Sequence, residues 1–199
     1  PNLMRHLHNI TDVYRLPCVV AVNRFPTDTD AEIEAVIAKC REYGVNVRLS
    51  TVWAEGGKGG EELAREAVRL CDEPNSFTYS YELNADIKTK IEAVVRKIYG
   101  GAGVNIMPQA EKQIASLTAL GFADLPVCIA KTQYSFSDDA SLSGAPEGFI
   151  VTVKNVKVSA GAGFIVVLTG DIMTMPGLPK IPAAEKIDVD ENGVISGLF

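Results

Sequence analysis

The sequence predicts an α/β fold, with a βαβα parallel-sheet unit followed by a smaller mixed α+β region. Two short apolar runs, residues 16–23 and 45–52, have the length and the adjacent valines of buried parallel strands. Each run is followed by an amphipathic segment with a helix start signal. Such alternation favours a parallel sheet with covering helices.

The first helix is predicted from its ends. Thr29 and Glu32 form a capping-box pattern, in which each side chain can satisfy an unpaired backbone donor. The helix then places Ile33 and Cys40 on one face and stops at Gly44. A second helix is predicted over residues 61–71, after a glycine-rich turn, with inward residues Leu63, Ala67 and Leu70.

A third amphipathic helix is predicted over residues 85–98, and the glycines at 100, 101 and 103 then break the chain. We therefore expect two regions, an α/β region over 1–99 and a C-terminal α+β region over 100–199. The second region should hold a helix starting at Pro108, a loop over 135–148, and strands at 127–130, 149–158 and 164–169. From Met173 onward, prolines and glycines make a helix improbable.

Composition excludes several classes of function. The 199-residue chain has a net charge of −6 and no basic cluster, which argues against binding nucleic acid. No apolar run reaches the roughly 18 residues of a membrane helix, so no membrane partner is expected. The four cysteines are widely spaced and lack a Cys-x-x-Cys pair, which predicts reduced thiols in a cytoplasmic protein. His6 and His8 point in different directions on a helix, so we expect no metal site; Arg5 and His6 should contact an element outside the chain.

Two aromatic residues are the principal candidates for a binding site. Phe25 and Trp53 each follow a predicted strand and precede a helix start signal, which is the edge where open α/β sheets bind ligands. Rings on neighbouring strands could clamp something flat. The alternative is that both are ordinary core residues, which composition alone favours.

Two glycine motifs carry weaker signals. The run at residues 56–60 lacks the Walker A spacing, because Lys58 is followed by Gly59 rather than Ser or Thr. It is either a turn that lets the backbone pass close to a ligand held by Trp53 or a plain flexible turn. The Gly-Ala-Gly at 161–163 lacks the third glycine of a dinucleotide fingerprint, so a tight turn between strands is the better interpretation.

A polar segment at residues 131–139 follows another predicted strand. It concentrates hydrogen-bonding groups at the edge of a sheet, where binding residues are common. The alternative is a solvated loop with local Asx and Ser turns.

Six segments resemble the formate–tetrahydrofolate ligase family: VNRFPTDT (22–29), VWAEGGKGG (52–60), KTQYSFSDD (131–139), SAGAGF (159–164), GDIMTMPGLPK (170–180) and NGVISGLF (192–199). The resemblance runs from Pro1 to Phe199. It implies a cytoplasmic ligase of one-carbon metabolism that joins formate to tetrahydrofolate, with ATP and Mg²⁺ and through formyl phosphate, giving 10-formyltetrahydrofolate.

The resemblance also implies roles for residues and partners. Phe25 and Trp53 match positions that stack on the folate. Lys131, Gln133, Ser137 and Asp138 become candidate contacts for the nucleotide or for a domain interface. No residue of the chain is assigned a catalytic or metal-binding role. The family forms homo-oligomers.

We further expect the chain, which starts at Pro1, to be the C-terminal third or so of a longer enzyme, a fragment that could also arise by proteolysis. The phosphate-binding loop would lie in the missing N-terminal part, so the isolated chain should be inactive. The alternative from another class is a non-catalytic α/β ligand-binding or interaction domain.

Overall fold

A computed structural model describes residues 1–170, 172 and 180–197. The prediction that no helix forms from Met173 onward concerns a stretch that starts outside this range. Most of the 170–180 segment also lies outside it. The chain opens with helix α1 (Asn2–His8), which continues as a π-helical segment over Asn9–Val13.

The first half of the chain forms the predicted βαβα unit. Its elements are β1 (Val19–Asn23), α2 (Asp30–Glu42), β2 (Asn46–Ser50), α3 (Val52–Glu55), a 3₁₀ segment (Gly56–Gly60) and α4 (Glu61–Cys71). Strands β1 and β2 are parallel, with Val19 opposite Asn46 and Asn23 opposite Ser50. The α/β fold class is confirmed.

The ends of α2 follow from its sequence as predicted. The Thr29 backbone N–H donates to the Glu32 carboxylate at 2.9 Å, and the Glu32 N–H donates to the Thr29 hydroxyl at 3.3 Å. At the other end Gly44 adopts φ +81°, the left-handed conformation that ends a helix.

The second half mixes parallel and antiparallel strands. It contains α5 (Ile87–Ala93), a π-helical segment (Val94–Tyr99), β3 (Gly103–Ile106), α6 (Pro108–Ala119), β4 (Val127–Ala130), β5 (Ile150–Val153), β6 (Asn155–Ser159) and β7 (Phe164–Leu168). β3 pairs with β5 and β4 with β7 in parallel, whereas β6 and β7 form an antiparallel hairpin. The tight turn predicted at 161–163 is confirmed, since Gly163 at φ +73° closes this hairpin. A short hairpin of β8 (Asp188–Val189) and β9 (Ile195–Ser196) follows.

Two hydrophobic clusters hold these elements. The smaller joins α1, α2 and the first sheet through Leu7, Cys40 and Val45. The larger contains Ile87 and Ile91 of α5 together with residues of α6, β5, β6 and β7. Helix α5 therefore packs with strands that follow it in the sequence; the division at residues 99 and 100 stays a prediction.

The inward face of α4 differs from the prediction. Leu63 and Leu70 are half-buried as expected, but Ala67 is exposed and Glu66 is buried at 5% exposure. The Glu66 carboxylate is satisfied there by Asn46 at 2.8 Å and by guanidinium groups of Arg48 at 3.0 Å and Arg69 at 2.7 Å. A buried carboxylate with three donors is acceptable, and hydrophobic periodicity cannot reveal it.

Arg5 and His6 both have partners within the chain, and the predicted contact with an element outside it stays a prediction. Arg5 donates to the Glu147 carboxylate at 2.5 Å, and the His6 ring lies 4.9 Å from the ring of Phe136. These contacts attach α1 to the loop that precedes β5.

Candidate functional site

The structure brings Phe25 and Trp53 together. Their ring centroids are 6.0 Å apart and their planes are inclined by 21°, so the two rings are nearly parallel. Phe25 is 50% exposed and Trp53 54% exposed. The interpretation of these residues as ordinary core is therefore wrong, and they form an aromatic pair on the surface.

The Phe25 side of the pair is held by a tight turn after β1. The Arg24 N–H donates to Ser50 O at 3.0 Å, which extends the pairing of β1 with β2 by one residue. The Phe25 N–H donates to the Asp28 carboxylate at 2.8 Å, and the Asp28 N–H donates back to Phe25 O at 3.0 Å. This reciprocal pair fixes the backbone that carries the phenyl ring.

The Trp53 side is a helical turn rather than a strand end. Strand β2 stops at Ser50, earlier than predicted, and Trp53 lies in the four-residue helix α3. Its indole Nε1 donates to Arg24 O at 2.7 Å. The side chain of Trp53 is thus bonded to the backbone that leads into Phe25.

The glycine run that follows packs back onto the start of α3. The Thr51 N–H donates to Gly59 O at 3.1 Å, and residues 56–60 form a 3₁₀ segment. The prediction that this backbone passes close to a bound ligand remains a prediction. The observed contact is with Thr51.

The polar loop lines a separate cavity of about 210 Å³, bounded by Asn2, His6, Tyr99, Lys131, Gln133, Tyr134, Ser135 and Phe136. The Lys131 ammonium donates to Thr132 O at 3.1 Å and to Ser135 O, and lies 5.1 Å from the centroid of the Tyr99 ring. Burial lowers the pKa of Lys131.

The four candidate residues of this loop have different surroundings. Lys131 and Gln133 line the cavity, whereas Ser137 is fully buried and bonds to the backbone of Asp139. Asp138 accepts a hydrogen bond at 2.8 Å from the backbone N–H of Thr152 on β5. Ser137 and Asp138 are therefore engaged in holding the loop.

The family model for formate–tetrahydrofolate ligase matches residues 1–199, the whole length of the chain. The chain belongs to the formate–tetrahydrofolate ligase family. The resemblance seen in the six segments is thereby confirmed, and with it an assignment to ligases of tetrahydrofolate metabolism. Membership of this family implies ATP and tetrahydrofolate as substrates.

Sequence reasoning missed a feature of this ligase chain, the two π-helical segments, which pack on each other. Asn9 of the first donates from Nδ2 to Ile98 O of the second at 3.0 Å. Tyr99 ends the second segment beside the Lys131 cavity, and burial raises the pKa of Tyr99 to about 12. Such segments often occur at functional sites. No periodicity in the sequence distinguishes them from ordinary helix.

In the part of the chain that the structure describes, no three His, Cys, Asp or Glu side chains are grouped so that they could hold a metal ion. None of the described helices combines the length and the hydropathy that a membrane crossing requires.

Proposed function

We propose that this chain supplies the folate pocket of a formate–tetrahydrofolate ligase, in which Phe25 and Trp53 stack on opposite faces of the pterin. The observation that carries the proposal is the exposed, nearly parallel ring pair, with centroids 6.0 Å apart. A pterin is a flat heteroaromatic ring, and stacked aromatic contacts add about 0.5–1.5 kcal/mol each beyond simple burial.

The proposed sandwich requires a wider spacing than the 6.0 Å between the two ring centroids. Carbon atoms in contact are about 3.5 Å apart, so a flat ring between two others needs centroids about 7 Å apart. The rings of Phe25 and Trp53 therefore move apart when the pterin enters. Both side chains face solvent, so this movement displaces no packed core.

The remaining chemistry is assigned to other parts of the enzyme. With Mg²⁺ bound, ATP would transfer its γ-phosphoryl group to formate, leaving ADP and forming formyl phosphate. The N10 amine of tetrahydrofolate would then attack the formyl carbon and displace phosphate, giving 10-formyltetrahydrofolate. The phosphate-binding loop lies in a preceding part of the polypeptide, and the complete enzyme is a cytoplasmic homo-oligomer. Lys131 and Gln133 contact the nucleotide or a domain interface, while Ser137 and Asp138 support their loop.

The decisive experiment is Trp53→Ala in the complete ligase. We expect the KM for tetrahydrofolate to rise at least about tenfold, equivalent to about 1.4 kcal/mol, while the KM for ATP changes less than about twofold. Tyr79→Ala is the matched control, because Tyr79 is a more exposed aromatic residue, 73% exposed, whose ring packs against Phe77. An unchanged KM for tetrahydrofolate in Trp53→Ala would refute the proposal.

A second experiment tests whether the chain alone binds tetrahydrofolate without catalysing the reaction. The 199-residue chain, supplied with ATP, formate and tetrahydrofolate, should form no ADP. Tetrahydrofolate should quench the fluorescence of Trp53, which is the sole tryptophan of the chain. A folded chain that showed no quenching would favour the non-catalytic domain instead.

A further inference from the structure

We infer that Gly59 is a positioning residue for Trp53, and that the glycine run exists to let the backbone fold against Thr51. The inference rests on the proposed folate pocket and assigns the residue that sets one of its walls. It gives the run a function that does not involve phosphate.

The space around Gly59 admits no side chain. A Cβ atom there would lie 2.5 Å from the carbonyl carbon of Thr51, 2.5 Å from its Oγ1 and 2.7 Å from its carbonyl oxygen. Two of these three atoms belong to the backbone, so no rotation of a side chain relieves the clash. Any larger residue at this position must push the two segments apart.

Thr51 in turn carries the turn that holds Trp53. Its carbonyl oxygen accepts hydrogen bonds from Ala54 N at 3.0 Å and Glu55 N at 2.9 Å, which close the single turn of α3. Thr51 N is bonded to Gly59 O at 3.1 Å. A helix of four residues does not persist by itself in water. The contact with Gly59 therefore helps to fix the turn, together with the bond from Trp53 to Arg24 O.

The position of the turn determines the position of the indole. Trp53 reaches Arg24 O at 2.7 Å and stacks on Phe25 from the middle of α3. A displacement of Thr51 by a few tenths of an ångström moves both contacts. Gly59 thus acts on the ring pair through Thr51, without touching a ligand.

The same run provides a matched control. A Cβ at Gly57 would meet nothing within 4 Å, and its φ lies outside the left-handed region. Gly57→Ala therefore makes the same chemical change in the same five-residue segment without the clash.

The test compares Gly59→Ala with Gly57→Ala. In the 199-residue chain we measure the emission maximum of Trp53 and its quenching by acrylamide, without ligand. In the complete ligase we measure the KM for tetrahydrofolate and for ATP. Gly59→Ala should shift the emission, change acrylamide quenching, and raise the KM for tetrahydrofolate at least about fivefold with the KM for ATP unchanged. Gly57→Ala should match the wild type in every measurement.

The outcomes separate this inference from the proposed function. Gly59→Ala with wild-type emission and wild-type KM for tetrahydrofolate overturns the inference, even if Trp53→Ala weakens folate binding. A shifted emission in Gly59→Ala, combined with no effect of Trp53→Ala on tetrahydrofolate, supports the positioning role and refutes the folate pocket.

A second variant covers the case in which Gly59→Ala fails to fold. A Cβ at Gly60 would lie 2.8 Å from Cγ2 of Val52, which is a side-chain atom and can be removed. Gly60→Ala should shift the emission of Trp53, and adding Val52→Ala should restore it. Failure of Val52→Ala to restore the emission would contradict a positioning role of the glycine run for Trp53.

Discussion

The indole nitrogen of Trp53 donates a 2.7 Å hydrogen bond to the carbonyl oxygen of Arg24, the residue directly before Phe25. The two rings of the pair are therefore mechanically coupled, because the side chain of one is bonded to the backbone that carries the other. A flat ligand that enters between them meets two walls already oriented nearly parallel. Pre-orientation of this kind lowers the entropy lost on binding.

The first prediction concerns this hydrogen bond. Trp53→Phe keeps an aromatic face but removes the N–H donor, so we expect a rise in the KM for tetrahydrofolate of about threefold, smaller than that of Trp53→Ala. Steady-state kinetics of a ligase that contains this chain measure it. A KM equal to that of the wild type would mean that the bond to Arg24 does not orient the ring.

The second prediction uses the buried carboxylate of Glu66. Hydrogen bonds from Arg69 and Asn46 lower the pKa of Glu66 from 4.5 to about 2. Because the folded state favours the ionised form, its stabilisation is complete above pH 4.5 and is lost as the pH falls toward 2. The stability advantage of the wild type over Glu66→Gln should therefore shrink over this window.

Thermal denaturation at a series of pH values measures that advantage. Near pH 7, Glu66→Gln should lower Tm by about 4 °C or more, since the hydrogen bonds from β2 to the Glu66 carboxylate of α4 are disrupted. Glu62→Gln is the control, because Glu62 is exposed on the same helix. An advantage that stays constant down to pH 2 would contradict the assignment.

Local signals in the sequence were sufficient for much of the fold. The capping box of Thr29 and Glu32, the turn at Gly44 and the limits of α4 depend on chemistry within a few residues, and all three were predicted correctly. Ala67 was misplaced because the burial of Glu66 depends on Asn46 and Arg48 of β2, which only tertiary structure brings to it, as well as on Arg69 of its own helix.

The candidate site was likewise predicted only in part from the sequence. The nearness of Phe25 and Trp53 followed from two parallel strands ending at one edge, and the structure brings the rings together. The helical turn that contains Trp53 was not predicted. The hydrogen bond from Thr51 N to Gly59 O that holds it spans residues with no periodic pattern. The position of Tyr99 beside the Lys131 cavity was also not predicted, because no periodic pattern in the sequence marks it.

The third prediction concerns Lys90, a fully buried lysine of α5. Its ammonium donates to Ala123 O at 2.7 Å and Leu125 O at 3.0 Å, which attaches the loop after α6 to α5. Lys90→Met fills much of the same volume but leaves both carbonyl oxygens without this donor. We expect a loss of about 2–4 kcal/mol in the free energy of unfolding.

Urea denaturation checks this loss, with Lys112→Met as the control because Lys112 is an exposed lysine on α6. If Lys90→Met unfolded at the same urea concentration as the wild type, the two carbonyl contacts would contribute nothing to stability. Since the ammonium of Lys90 bonds to Ala123 O and Leu125 O and not to the aromatic pair, the KM for tetrahydrofolate should not change.

The fourth prediction separates support from ligand contact in the polar loop. The Asp138 carboxylate accepts a 2.8 Å hydrogen bond from the backbone N–H of Thr152, so Asp138→Ala leaves that donor without this partner. We expect a loss of about 1–2 kcal/mol in the free energy of unfolding and faster chymotrypsin cleavage next to the exposed Tyr134. Asp72→Ala, which removes an exposed carboxylate, is the control. Unchanged stability and cleavage, together with a KM for ATP raised about tenfold, would instead assign Asp138 to the nucleotide.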